Sequence, residues 1–229
     1  MFIPLHDHNK IKHVYKPFVN WALLAANVFV FVVIQHAGFG DAATISDYSY
    51  GLISSVLFDM KDLTPDLQAV PDAATLVTYA FLHGDWMHLI GNMLFLWVFG
   101  DNVEDAMGHV RYLVFYLACA AGAGFAYAIT SFGSDAPLIG ASGATAGIIV
   151  AYLMLHPHVK IWILALGRIP LRLSARWVLG AWIVLQVYNV VVDQDSNVAW
   201  SAHIGGLITG AILVLFLRRR GVPLFDKNL

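Results

Sequence analysis

The sequence predicts an all-α polytopic membrane protein in which six transmembrane helices form one bundle. Two observations carry this prediction. First, 59% of the 229 residues are hydrophobic and only 12% are charged, with a mean hydropathy of +0.69, whereas soluble domains carry roughly 25% charged residues. Second, apolar runs of spanning length alternate with polar segments whose positive charges fall almost entirely on one side. We expect the six-helix domain to occupy residues 18–217.

The first span follows a polar and basic segment. Residues 1–17 contain three lysines and are expected to form a cytoplasmic tail. The apolar run Phe18–Ile34 exceeds the roughly 7–15 hydrophobic residues of a cleavable signal peptide. We therefore predict a retained first transmembrane helix over about Phe18–Gln35.

A long polar loop separates the first two spans. Residues 37–77 contain six aspartates, too many for a span. The loop also carries an apolar group that we expect to rest at the membrane interface: Tyr48, Tyr50, Leu52, Ile53, Val56, Leu57 and Phe58. Residues 74–82 form either a short helix or the start of the next span. Asp85 is a suitable N-cap, so the second span is predicted over about Trp86–Val103.

Four further spans are predicted, joined by links that are shorter than the loop 37–77. The third is predicted over about Val110–Thr130, and the fourth begins near Ser142 and ends before Pro157. Residues 159–176 contain four cations and are interpreted as a cytoplasmic or interfacial connection. The last two spans and the short basic tail are expected at Trp177–Val192, Trp200–Leu217 and 218–229.

The positive charges give an independent indication of topology. The N-terminal tail, the link between spans two and three, the link between spans four and five, and the C-terminal tail hold 3, 1, 4 and 4 of the 13 Lys and Arg residues. Only Lys61 falls on the other side. The positive-inside rule places both termini in the cytoplasm and the loop 37–77 outside, and we expect a bacterial cytoplasmic membrane. A net charge of −2 offers no case for a nucleic-acid partner.

One stretch differs from a plain span. Residues 140–147 read Gly-Ala-Ser-Gly-Ala-Thr-Ala-Gly and follow Pro137, so a loop and tight turn are predicted to lead into a helix beginning at Ser142. Most serines in membrane helices only pack or bond their own backbone. A helix from Ser142 to His156, however, is roughly 22 Å long, shorter than the hydrocarbon core of about 30 Å. We therefore predict a wet pocket, open to the outer side, with Ser142 at its floor.

The sixth span contains a candidate base. His203 lies about three residues inside its outer end, and an ionisable residue within a span is a functional candidate, although a structural hydrogen bond to a neighbouring carbonyl is the alternative. The glycine pairs Gly143–Gly147 and Gly206–Gly210 form small faces that let helix backbones touch. We predict that Ser142 and His203 lie within hydrogen-bond distance, as nucleophile and general base.

Donors for a tetrahedral intermediate are predicted on the second span. His88 and Asn92 are spaced i, i+4 and share one face near its outer end, where both can donate hydrogen bonds; interhelical bonding is the structural alternative. The outer acids Asp193 and Asp195 lie at the mouth of the sixth span, so we expect a dyad without a carboxylate. His83 and His88 lack the spacing and third ligand of a metal site, and no metal or cofactor is predicted.

Taken together, these features resemble the rhomboid family of intramembrane serine proteases. The matching pieces are Gly140-Ala141-Ser142-Gly143, Ala202-His203-Ile204-Gly205-Gly206, the His88-x-x-x-Asn92 spacing, and six helices with a long first loop, within about residues 75–215. The resemblance implies Ser142 as nucleophile and His203 as general base. It implies His88, Asn92 and the backbone N–H of Ser142 as the oxyanion hole.

The resemblance also implies what the protein would act on. The substrates would be transmembrane proteins in the lipid bilayer, cut in or near a transmembrane segment, with the fifth span and the first loop gating entry. Some family members carry an aromatic residue one turn after the serine, against which the histidine packs. This chain has Ala146 there, so the group that orients His203 is left open.

Two other function classes compete with a protease. A catalytically weak or silent rhomboid-like protein would bind membrane proteins without cutting them, and the presence of both Ser142 and His203 favours the protease. A small-solute transporter is disfavoured because the six spans show no internal repeat. The sequence predicts no oligomeric state.

Overall fold

The computed structural model describes residues 2–193 and 198–226, which form a mostly helical molecule with two small sheets. Its α-helices are α1 (Phe18–Phe29), α2 (Gly40–Tyr50), α3 (Ser54–Leu57), α4 (Thr75–Thr78), α5 (Trp86–Met107), α6 (His109–Thr130), α7 (Ser142–Leu155), α8 (Ala175–Val192) and α9 (Trp200–Leu217). Its strands are β1 (Phe2–Asp7), β2 (Leu52–Ile53), β3 (Pro137–Leu138), β4 (Lys160–Ala165) and β5 (Ile169–Ser174). We call the end of the bundle at which α7 begins the outer end, and the opposite end the inner end.

The helix core consists of α6, α7 and α9, which pack against one another along their lengths. α5 closes one side of this core by packing on α7, and α1 lies against α5. α1 continues into a π-helical turn at Val30–Ile34. α8 is the least buried of the long apolar helices. In its most apolar stretch 22% of the residues are buried, against 44% for α6.

Some of the described helices are long and apolar enough to cross a membrane. Within residues 2–193 and 198–226, three helices are long and apolar enough to cross a membrane, namely α6, α8 and α9. The apolar segments Phe18–Ile34 and α7 are shorter. The fourth predicted span matches α7 to within one residue, because His156 caps the helix instead of continuing it. The count of six spans remains a prediction.

The prediction of an all-α chain is wrong at the inner end. There β1, β4 and β5 form an antiparallel sheet in the order β1-β4-β5. Ile161 and Ile163 are buried while Lys160 and Trp162 face outward, which is the period-2 pattern of a half-buried strand. Residues 159–176 are therefore a hairpin, and residues 2–7 of the predicted tail form a strand that pairs with it.

Carboxylates near the end of α5 fasten the N-terminal segment to the bundle. Glu104 accepts hydrogen bonds from the backbone N–H groups of Val19 (3.0 Å) and Asn20 (2.7 Å), which have no intrahelical acceptor in the first turn of α1. Asp105 accepts three more backbone N–H groups, at residues 12–14. Residues 12–20 are thus held by two neighbouring acids of α5. The last three residues of the predicted basic tail, 227–229, lie outside the described residues.

The loop 37–77 is folded against the outer end. Its strand β2 pairs antiparallel with β3, just before α7, and the hydroxyl of Ser54 donates to the carbonyl of Ala128 at 2.8 Å. Leu52, Ile53 and Val56 are buried within the protein. Part of the apolar group expected at the membrane interface thus packs on the protein itself, and membrane association of the loop remains a prediction.

Asp7 gives a prediction about the inner-end sheet. Its carboxylate accepts hydrogen bonds from the hydroxyl of Tyr152 (2.6 Å) and the amide of Asn102 (3.1 Å), and burial raises the pKa of Asp7 from 3.8 to about 6. Because the folded state binds this proton more tightly, the contribution of Asp7 to stability is fully present below pH 4 and is lost as the pH rises from about 4 through 6. Asp7→Asn should therefore reduce the difference in unfolding free energy between pH 5 and pH 7.5 by roughly 1 kcal/mol. This corresponds to a change of about 3 °C in the difference between the two melting temperatures.

The measurement is thermal unfolding of the detergent-solubilised protein at both pH values. Asp66→Asn is the matched control, because Asp66 is exposed in the loop, and it should keep the parental pH dependence. An Asp7→Asn protein with the parental pH dependence would contradict the burial argument.

Candidate active site

The turn before α7 depends on one glycine. Gly140 has φ +121°, a conformation that side chains rarely allow. A Cβ there would lie 2.6 Å from Nε2 of His88, so the turn rests directly on the His88 ring. The N–H of Gly140 donates to the carbonyl of Tyr79 at 3.0 Å. This turn ends at Ala141, and α7 begins at Ser142 without a side-chain cap.

α7 and α9 touch through their backbones. A Cβ on Gly206 would lie 1.9 Å from the carbonyl oxygen of Gly143, and one on Gly210 would lie 2.6 Å from Cα of Gly147. Real side chains cannot occupy either position without moving the helices apart. The two glycine faces expected from the sequence are therefore in mutual contact, and this contact fixes the spacing of the two helix backbones.

That spacing brings Ser142 and His203 together. Oγ of Ser142 lies 2.9 Å from Nε2 of His203, which is hydrogen-bond distance. His203 is buried, with 8% of its surface exposed, and Ser142 is partly exposed. The pair thus consists of an accessible hydroxyl and an enclosed imidazole, which is the arrangement an activated serine requires.

Three side chains missed by the sequence analysis orient His203. Its Nδ1 lies 2.7 Å from Oε1 of Gln186 on α8. The ring of Trp182 stacks on the imidazole, with centroids 6.2 Å apart and an angle of 29° between the planes, and Trp200 meets it edge-on at 5.6 Å. Trp182 thus supplies an aromatic face for the imidazole, whereas position 146 holds the small, fully buried Ala146. The signal available in the sequence was the amide of Gln186 in a mostly apolar helix, where such a residue is costly.

His88 and Asn92 lie at the outer end of α5 but bond locally. The amide of Asn92 donates to the carbonyl of His88 at 3.2 Å. Nδ1 of His88 accepts a long hydrogen bond, 3.4 Å, from the N–H of Gly84. Within the described residues no hydrogen bond joins either side chain to Ser142 or His203. His88 thus lies beside the turn at Gly140, and neither side chain takes part in the Ser142–His203 pair.

Acids and metal ligands are the other candidates that the sequence offers for this site. Asp195 lies outside the described residues. Among residues 2–193 and 198–226, no group of three or more His, Cys, Asp or Glu side chains could hold a metal ion. His83 is fully buried, and burial lowers its pKa to about 3, so its ring remains neutral at physiological pH.

Comparison with known proteins gives one family. A model of the rhomboid domain matches residues 70–220, which include Ser142, His203, His88 and Asn92. The RHOMBOID-like protein 12 of Arabidopsis thaliana mitochondria is 29% identical over 161 residues, covering 63% of this chain and 46% of that protein. The rhomboid protease GluP of Bacillus subtilis is 29% identical over 215 residues, covering 93% of this chain and 38% of that protein. The rhomboid protease GlpG of Yersinia pestis is 25% identical over 140 residues, covering 61% and 46%.

The aligned region spans less than half the length of each of these relatives. The relatives include proteins named as mitochondrial or chloroplastic as well as bacterial proteins. The expectation of a bacterial cytoplasmic membrane is therefore not supported by the comparisons, whereas a membrane-spanning protein is.

The glycine contact generates a prediction about stability. Gly206→Ala should push α9 away from α7, because its new methyl group would overlap the carbonyl of Gly143, and overpacking of this kind costs typically about 1–3 kcal/mol. We expect the melting temperature in detergent to fall by roughly 5 °C.

Gly180→Ala is the matched control for this substitution. Gly180 lies in α8, and the position that a methyl group would take there has nothing within 4 Å, so the same change should leave the melting temperature equal or slightly higher. Equal melting temperatures for the parent and Gly206→Ala would refute a backbone contact at this site.

Proposed function

Because the chain belongs to the rhomboid family, we propose that it is an intramembrane serine endopeptidase, which hydrolyses peptide bonds in or near transmembrane segments of other membrane proteins. The observation that carries this proposal is the 2.9 Å approach of Ser142 Oγ to His203 Nε2 inside the matched domain. Support also comes from two relatives that are named rhomboid proteases, GluP and GlpG.

In the proposed mechanism, Nε2 of His203 accepts the hydroxyl proton of Ser142 while Oγ attacks the carbonyl carbon of the scissile bond. The imidazolium then donates this proton to the leaving amine. The resulting acyl-enzyme ester is hydrolysed by a water molecule, which His203 activates in the same way. Each step moves a proton through Nε2 alone, and no metal is required.

The oxyanion would be stabilised by hydrogen-bond donors from two helices, α7 and α5. The backbone N–H of Ser142 lies in the first turn of α7, where helix N–H groups have no intrahelical acceptor. The amide of Asn92 uses one hydrogen for the carbonyl of His88 and keeps a second for substrate, and the ring of His88 lies beside the turn at Gly140. We assign these three groups as the oxyanion donors.

The proposed topology has six spans: α1 with its π-helical turn, α5, α6, α7, α8 and α9. The distribution of Lys and Arg supports a cytoplasmic inner end that contains both termini. The outer end, with Ser142, then opens to the other side of the membrane, where α8 and the loop 37–77 border the site. Transmembrane substrates would reach it from the bilayer.

The dyad is tested by substitution. Ser142→Ala and His203→Ala should each abolish cleavage of a transmembrane reporter protein and labelling by a fluorophosphonate probe. The double variant should be no less active than either single one, since both residues act in the same step. Ser201→Ala is the matched control, because its hydroxyl bonds Thr130 at the same end of α9 (2.7 Å), and it should retain parental activity.

Two outcomes would count against the protease. Cleavage by Ser142→Ala within about tenfold of the parent would exclude a serine mechanism. A folded parent that binds reporter proteins but takes up no probe would favour the silent membrane-protein binder.

The donors are tested by kinetics and stability measured on one preparation. Asn92→Ala should lower kcat by roughly 10²-fold with little change in KM, because an oxyanion donor acts mainly in the transition state. His88→Ala should lower kcat similarly. If the two side chains only bond helices together, the variants would instead melt at lower temperature with parental kcat, and this result would remove them from the site.

A further inference from the structure

The amide of Gln186 lies between two fixed partners. It is buried on α8, with 4% of the residue exposed. Its Nε2 donates to the carbonyl of Trp182, one turn earlier in the same helix, at 3.2 Å, and its Oε1 lies 2.7 Å from Nδ1 of His203. Both ends of the amide are therefore engaged within the protein.

These two contacts determine which atom donates. The carbonyl oxygen of Trp182 can only accept, so the NH₂ end of the amide must face it. The remaining oxygen Oε1 can only accept, so Nδ1 of His203 must carry a proton. In a neutral imidazole this leaves the lone pair on Nε2, the nitrogen that faces the hydroxyl of Ser142.

We propose that Gln186 is a positioning residue that holds His203 in the Nδ1-protonated tautomer, so that Nε2 is free to accept the proton of Ser142. This inference rests on the proposed protease function and extends it. With the opposite tautomer, Nε2–H would point at the hydroxyl and could not act as its base. Gln186 thus does with a neutral amide what a carboxylate does in a three-residue site.

The aromatic contacts support the same role. Trp182 stacks on the face of the imidazole and Trp200 meets its edge, so the ring plane is fixed and Gln186 needs only to select the tautomer. Trp182 also packs against Phe95 of α5, at 6.1 Å between centroids. Within the described residues, His88 on α5 is an ionisable side chain close enough to His203 to interact with it electrostatically.

The tautomer can be observed without any substrate. The full-length protein, labelled with ¹⁵N-histidine and solubilised in detergent at about pH 8, where a neutral imidazole dominates, would be studied by NMR. The two ring nitrogens differ in chemical shift according to which is protonated, and His203→Gln identifies the His203 signals by their loss. The parent should show protonated Nδ1, and Gln186→Leu should show a mixture of tautomers or protonated Nε2. The same Nδ1-protonated tautomer in both proteins would overturn the proposal.

Kinetics provide the second readout. Gln186→Leu keeps the side-chain bulk but removes the acceptor, so kcat should fall roughly tenfold or more with KM unchanged. Gln186→Glu restores an acceptor and should recover kcat to within about threefold of the parent. Its carboxylate would also favour the imidazolium, so the acid limb of the pH–rate profile should move upward by about one pH unit. A parental kcat in Gln186→Leu would contradict a positioning role.

Two controls separate this proposal from its alternatives. Leu185 is the neighbouring residue of α8 and is 52% exposed, so Leu185→Ala should keep the parental tautomer, kcat and melting temperature. Failure of the proposed function would show as parental cleavage by Ser142→Ala, whatever the tautomer. Failure of the present proposal alone would show as an inactive Ser142→Ala beside a Gln186→Leu with the parental tautomer and kcat.

Discussion

The backbone contact between α7 and α9 is the constraint on which the site depends. Gly143 and Gly206 approach so closely that even one added methyl group would overlap a carbonyl oxygen. Since helices are stiff over one or two turns, the positions of Ser142 and His203, one and three residues away in sequence, follow from this contact. The hydrogen bond between the two side chains is thus set by residues that themselves have no side chain to contribute.

The Ser142–His203 site and the inner end are held by different interactions. At the outer end, uncharged groups orient one another: the carbonyl of Trp182 orients the amide of Gln186, which in turn contacts His203. At the inner end, the carboxylates of Glu104 and Asp105 accept hydrogen bonds from backbone N–H groups of the segment that leads into α1. Glu104 and Asp105 therefore lie at the opposite end of the molecule from Ser142 and His203.

The sequence was informative where polar residues interrupt apolar helices. Ser142, His203, His88 and Asn92 could be selected because such residues are costly in a span, and the glycine spacings indicated which helices touch. The sheet was not predicted, because β1 and β4 are far apart in the chain and short apolar segments do not reveal their pairing. Gln186 was overlooked because its partner depends on the rotation of α8, which local patterns do not determine.

A neutral acceptor at position 186 has an electrical consequence. From Trp177 to Val192, α8 contains no charged residue, and Ser142, Gln186 and neutral His203 carry no net charge. A displacement of the outer half of α8 that lengthened the Gln186–His203 hydrogen bond beyond about 3.5 Å would separate these two groups without displacing a charged side chain between Trp177 and Val192. A membrane potential, which acts with ~2.3 kcal/mol per elementary charge per 100 mV, would act on that movement through the helix dipole and Asp193, the C-cap of α8, and not through Ser142, Gln186 or His203.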